Sequence, residues 1–298
     1  MITIKFSDNI GHLYGSFEEI TILDNYNDIV SIYCDHHNLS SLLVLPNSLD
    51  DLYCNNNNLS SLPELPNSLT ALWCAYNKLS SLPELPNLLE ILECNNNNLD
   101  KLPKLPNALE ALCCSHNNLY VLPTLPTSLA ELICSSNNII SLSELPNSLE
   151  ELCCYSNKIS VLPQLTKKIT KLSCSYNKIS NLPELPNSIE YISCNHNKIS
   201  NLPELPNLLK KLYCNNNNLS NLPELPNSLI DIEYIKNPIY EYINKYFDGN
   251  TRKYDEYQKM IKMIFANKIG DWYLECKYNP KYVYCRKRLM KEYRELYD

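Results

Sequence analysis

The sequence predicts a right-handed solenoid with a parallel β-sheet on its concave face, an extended, polyproline-like convex face, and a small α-helical C-terminal region. Three observations carry this reading. Cysteine recurs at 34, 54, 74, 94, 114, 134, 154, 174, 194 and 214 without a miss. Asparagine follows three residues later at every turn from Asn57 to Asn237. An LPxLP run closes most turns, and its two prolines forbid helix and favour extended backbone. A period this strict marks stacked repeats, each too small to bury a core alone.

The N-terminal segment, residues 1–28, does not fit the period. Ile2, Ile4 and Phe6 alternate with polar residues, as do Ile20 and Ile22, which predicts one or two short strands. A solenoid needs its first turn covered, since an open end exposes core and an unpaired strand edge. Residues 1–28 are therefore read as an N-terminal cap.

The repeats, eleven of 20 residues, run over 29–239. Numbered by position, each turn reads L1-x-x-L4-x-C6-x-x-N9-x-L11-x-x-L14-P-x-L17-P-x-x, and in the eleventh Tyr234 replaces the cysteine. Positions 4 and 6 lie two apart and share the inward face of a strand, while positions 3 and 5 point out. Leucines at 11, 14 and 17 fill the core from the returning side. The amide at position 9 satisfies backbone groups where the chain leaves the strand, and its stacking on its neighbours forms a ladder. All four glycines lie outside the repeats, so the turns must be made by Asn, which tolerates left-handed backbone, and by Pro.

This text resembles the leucine-rich repeat family, L-x-x-L-x-L-x-x-N-x-L, with cysteine at the sixth place. The short LPxLP form is similar to the repeats of bacterial type III secreted effectors. Some of those are scaffolds only, and others carry a C-terminal ubiquitin ligase domain with a Cys-x-Asp motif. Neither Cys276 (CKY) nor Cys285 (CRK) matches that motif, so ligase activity is not carried over. The Asn, Ile, Lys and Tyr bias, with the phrase KYNPKYVYCRKRLMKEYRELY from Lys277 to Tyr297, looks like leucine-rich repeat proteins of giant DNA viruses of the mimivirus type.

After Asn237-Pro238 the period stops. Residues 240–298 are read as a helical C-terminal cap and tail, with helices in IYEYINKYF, TRKYDEYQKMIKMIFANKI and CRKRLMKEYRELY. Trp272, Tyr273 and Leu274 are placed between the second and third. Two N-P-x-Y sequences, Asn237–Tyr240 and Asn279–Tyr282, begin where a helix would start after Pro and are read as chance or capping.

Charge narrows the partners. Residues 1–239 hold 13 basic and 24 acidic side chains, and residues 240–298 hold 13 and 9, for a total of −7. An acidic solenoid argues against nucleic acid, which needs a basic footprint. The N-terminus lacks a basic region followed by an apolar run, and no stretch approaches the roughly 20 apolar residues of a membrane span. The expectation is a soluble monomer, not secreted, in the cytoplasm (the host-cell cytoplasm if the chain is viral).

No catalytic, cofactor or metal site is nominated. The ten periodic cysteines share one inward position, where a free thiol packs as a small hydrophobe. Neighbouring strands hold their Cβ atoms roughly 4.8 Å apart, wider than a disulfide prefers. Cys113 and Cys153, at position 5, face outward with Ile133 between them. His36, His116 and His196 share a position but lie four turns apart. Glu64, Glu84, Glu144, Glu184, Glu204 and Glu224 form a solvated convex edge, and the N-x-S sequons at Asn38, Asn58 and Asn218 are by-products of the repeat.

The concave face has the most to offer. Tyr33, Tyr53 and Trp73 are consecutive at position 5, with His36 and Tyr76 beside them at position 8. Aromatics of this kind mark protein interfaces, and they also suit strands and stack for stability alone; both readings stand. Lys171, Tyr191, Lys211 and Tyr213 form a second, more basic region. The function expected is a non-enzymatic protein-interaction scaffold whose concave face binds a protein, a host protein if the chain is viral. Two alternatives are an adaptor that selects substrates for a ubiquitin ligase or other activity recruited by the tail, and a structural component of a viral particle.

Overall fold

A computed structural model describes residues 1–8 and 10–278, with side chains through 269. The sheet is built from β1 (Ile2–Phe6), β2 (Gly11–Tyr14), β3 (Ile29–Tyr33) and ten three-residue strands. These are β4 (Asp51–Tyr53), β5 (Ala71–Trp73), β6 (Ile91–Glu93), β7 (Ala111–Cys113), β8 (Glu131–Ile133), β9 (Glu151–Cys153), β10 (Lys171–Ser173), β11 (Tyr191–Ser193), β12 (Lys211–Tyr213) and β13 (Asp231–Glu233). From β3 to β13 they pair in parallel and in register, each residue opposite the one 20 further on, as in Tyr33, Tyr53 and Trp73. The spatial order is the sequence order, with β1 and β2 added antiparallel beyond β3.

The inward face is uniform. Leu52, Cys54, Leu59 and Leu69 are fully buried, and their equivalents repeat this turn after turn. A proline-closed bend, with the Leu69 amide donating to the Pro66 carbonyl at 3.1 Å, returns the chain to the next strand. The hydroxyl of Ser68 donates to the Leu49 carbonyl at 2.6 Å and so closes its own turn. In the seventh turn, where Lys168 holds that place, the Thr166 hydroxyl reaches the matching Leu149 carbonyl at 3.0 Å instead.

The asparagine ladder runs through backbone rather than from amide to amide. Asn117 Nδ2 donates to the carbonyls of Cys94, Cys114 and Ser115 at 3.0, 3.2 and 3.2 Å. Its Oδ1 accepts the Leu99 amide at 2.9 Å, so one side chain ties two turns together. Asn237 does the same in the degraded eleventh turn, with Tyr234 buried in the cysteine's place.

Two expectations are corrected. The left-handed residue common to all eleven turns is the one at position 8, with φ between 52° and 60°, and it is Asn in only three of them, Asn56, Asn96 and Asn216. His, Asn, Tyr, Ser and Lys all occupy it, because the stacked turns on either side hold the backbone there against the local penalty of roughly 1–2 kcal/mol. Ile20 and Ile22 are not on a strand: they belong to α1 (Phe17–Thr21) and its C-cap. The Ser16 hydroxyl accepts the Glu19 amide while Glu19 accepts the Gly15 amide, a reciprocal cap that outweighs the alternation. Ile20 is buried and Ile22 is left exposed.

The chain divides into two units, Met1–Ile239 and Tyr240–Asp298. α2 spans Pro238–Phe247 and α3 spans Thr251–Tyr278. α3 runs unbroken through 272–274, so Trp272, Tyr273 and Leu274 continue a helix rather than separate two. Uninterrupted backbone hydrogen bonding overrides the aromatic cluster, which contains neither Pro nor a cap. The expected third helix, Cys285 and the Asn279–Tyr282 sequence lie outside the described residues, as does the side chain of Cys276. No helix among the described residues is long and apolar enough to cross a membrane.

Candidate interaction surface

The concave surface is made by the outward residues of the short strands, positions 3 and 5, and by the bend at position 8. Because the strands are in register, equivalent side chains stand in columns along the solenoid axis. What each column presents depends on which residues succeed one another.

At the N-terminal end the succession is aromatic. Tyr33 and Tyr53 stack with centroids 4.4 Å apart and planes 12° from parallel, and Tyr53 and Trp73 at 4.0 Å and 5°. Lys5 on β1 places its ammonium 5.2 Å from the Tyr33 centroid, on the first ring of the stack. The Tyr53 hydroxyl is pushed up to about 12, by burial first and then by the Asp51 carboxylate. Asp51 in turn accepts the Ser31 hydroxyl at 3.0 Å. His36 and Tyr76 are exposed on the left-handed bend, and among the described residues no ring contact joins either to the stack.

The second predicted region is self-paired. Lys171 Nζ sits 2.5 Å from Glu151 Oε1, and this pairing raises the lysine's pKa. Tyr213 donates to Asp231 Oδ2 at 2.6 Å and is pushed up to about 12, chiefly by that bond. Tyr191 meets Tyr213 edge to face at 5.7 Å. Lys211 is exposed, in register between Tyr191 and Asp231. The basic character expected here is thus offset by carboxylates that the repeat spacing brings alongside.

Between the two regions lies a stretch that sequence reasoning did not single out. In register from Trp73 come Glu93, Cys113 and Ile133; beside them run Ala71, Ile91, Ala111 and Glu131. Glu93 is held above the usual carboxylate range by burial, and further by Glu131. Cys113 and Cys153 are half-buried free thiols, and burial pushes Cys113 up to about 11. The ten ladder cysteines are buried and unpaired, their thiols raised by desolvation, for example to about 12 at Cys194. A stack of Tyr176 on His196, at 4.2 Å and 11°, was also missed. Reading the position-8 column in full, rather than only beside Trp73, would have found it.

The comparison with known proteins fits this geometry. YopM from Yersinia enterocolitica WA-314 is 36% identical and superposes with a TM-score of 0.71 over 71% of this chain. The fold is a leucine-rich repeat solenoid. This leucine-rich repeat chain spans about half, 47%, of the length of that YopM. The leucine-rich repeat domain of a Shigella effector is 35% identical over 54% of this chain and 73% of its own, with a TM-score of 0.49. The functional domain of InlJ from Listeria monocytogenes, described as including a cysteine ladder, is 24% identical over 74% of this chain and 55% of its own. Its TM-score of 0.54 is a likeness of fold, and the ten stacked cysteines here make a ladder too. No protein-family model matches the chain, and no curated protein does.

Proposed function

We propose that this leucine-rich repeat protein is a non-enzymatic interaction scaffold that binds a protein partner across its concave face. The observation that carries the reading is the three-ring stack of Tyr33, Tyr53 and Trp73, half-buried on a sheet whose outward residues hold more carboxylates than ammonium groups. Flat aromatic area held rigid by its own neighbours binds at little entropic cost. A uniform core beneath variable outward columns supports the same reading, since the core would look alike whatever was bound.

The bias of composition and the tail phrase from Lys277 to Tyr297 support a giant-virus origin, in which case the partner is a host protein met in the host-cell cytoplasm. The acidic solenoid speaks for a protein rather than nucleic acid as that partner. A second reading is favoured by the separate compact unit at Tyr240–Asp298: an adaptor that selects substrate with its repeats and recruits a ubiquitin ligase or other activity through that unit.

Quantitative partner capture from expressing cells tests both. The Tyr53→Ala/Trp73→Ala double variant is expected to lose its partners by at least about tenfold, with Lys171→Ala within about twofold. Retention of every partner by the aromatic double variant would reject the stack as the anchor. Loss only on deleting 240–298 would favour the adaptor.

A further inference from the structure

The aromatic stack has two ends, and they differ. The Tyr33 end carries the Lys5 ammonium from the chain itself. At the other end, the indole face of Trp73 not covered by Tyr53 is turned toward the next strand, where Glu93 stands in register. Beside it the outward residues are small: Ala71, itself buried, and Ala111, with Ile91 between. Glu131 follows Ala111 in register at the far end of this stretch.

Charge singles out what would fill it. At the outward positions 3 and 5 of the six turns from Leu49 to Lys168 there are four carboxylates (Asp51, Glu93, Glu131, Glu151) and no lysine or arginine. Lys171, in the following turn, is engaged by Glu151. Burial raises Glu93, and repulsion from Glu131 raises it further. A cation there would gain the attraction of both and relieve their repulsion.

We propose that the stretch beyond Trp73 takes two arginines on an extended basic segment of a protein partner, one guanidinium stacked on the indole and paired with Glu93, the other paired with Glu131. This rests on the concave face being the docking surface. Guanidinium is chosen over ammonium because it is flat: it lies on an indole face and still presents two parallel donors to a carboxylate at its edge. From Trp73 to Glu131 is three strand spacings, about 14 Å, which an extended segment covers in about four residues. Arginines four apart would therefore occupy both ends of this stretch.

The test is a titration of the full chain with a fluorescein-labelled Gly-Arg-Gly-Ser-Gly-Arg-Gly peptide at low salt, beside the same peptide with citrulline or lysine for arginine. The arginine peptide is expected to bind, with citrulline weakening it at least about tenfold and lysine less than that. Glu93→Gln, which keeps shape and removes charge, is expected to weaken the arginine peptide about fivefold or more, Trp73→Leu similarly, and Glu204→Gln on the convex edge not at all. No binding, equal binding of the citrulline peptide, or full binding by Glu93→Gln would overturn the proposal, and so would spermidine binding as tightly as the peptide. Capture separates it from the reading beneath. A partner lost with Tyr53→Ala/Trp73→Ala yet kept by Glu93→Gln/Glu131→Gln rejects the guanidinium site and leaves concave docking intact. A partner kept by both rejects concave docking.

Discussion

The two faces of each short strand obey different rules. On β4, Leu52 points inward and is fully buried, as Cys54 is just beyond the strand's end, and both positions repeat almost unchanged through the solenoid. Tyr53, between them, points outward and is succeeded by Trp, Glu, Cys, Ile, Cys, Ser, Ser and Tyr. The inner face tolerates little because each side chain packs against its own copy above and below. The outer face is free to vary, and variation yields opposite results at its two ends. Near the N-terminus, like follows like and rings stack. Toward the C-terminal half, Lys171 succeeds Glu151 and pairs with it, and Asp231 takes the hydroxyl of Tyr213. The difference teaches that a column is available to a partner only where its members do not satisfy each other.

The largest effect expected from breaking the inner face is alkaline. A buried thiol has a folded pKa above its unfolded value, so its contribution is intact below about pH 9 and is lost as pH rises through the folded value. Ten such thiols titrating together in the unfolded chain would cost on the order of 10 kcal/mol per pH unit once ionised. Denaturant unfolding as a function of pH should show stability falling steeply between about pH 9 and 12. A Cys→Val series at the ladder positions should flatten it, and a flat profile in the native protein would contradict the ladder.

Next is Asn117→Ala, which removes four hydrogen bonds and leaves the Leu99 amide and the carbonyls it served without their partner. A loss of roughly 3–5 kcal/mol is expected in urea unfolding. A loss below about 1 kcal/mol would put this residue among the surface positions.

The outer face should behave differently. Tyr53→Ala removes one ring from a half-exposed stack, and its cost to stability in urea unfolding is expected to be about 1–2 kcal/mol. Lys171→Ala, whose pair with Glu151 is open to solvent, should cost less than about 1 kcal/mol and fade with added salt. The smallest effect concerns the bend. Tyr76→Gly relieves a left-handed tyrosine at φ 54° against the greater chain entropy of glycine, and should change stability by under about 1 kcal/mol, measured by thermal unfolding. A large loss would mean that Tyr76 packs in a way its exposure denies.

The sequence by itself determined the period, the parallel sheet, the buried cysteine column and the outward direction of Tyr33, Tyr53 and Trp73. A 20-residue repeat leaves no freedom: each residue meets its own equivalent, so register follows from spacing. Tertiary structure alone decided the rest. Stacked turns force Tyr76, Ser136, Ser156, Tyr176 and Lys236 into left-handed backbone that their own preferences disfavour. The Ser16–Glu19 cap, by contrast, is a local contact that the sequence already carried, and it turned an alternating segment into a helix. Whether Lys171 is free or paired, and whether Glu93 faces a cation or another carboxylate, depends on neighbours 20 and 38 residues away. Those distances become contacts only when the chain is wound, because Coulomb forces and ring stacking act over a few ångströms of space and take no account of sequence separation.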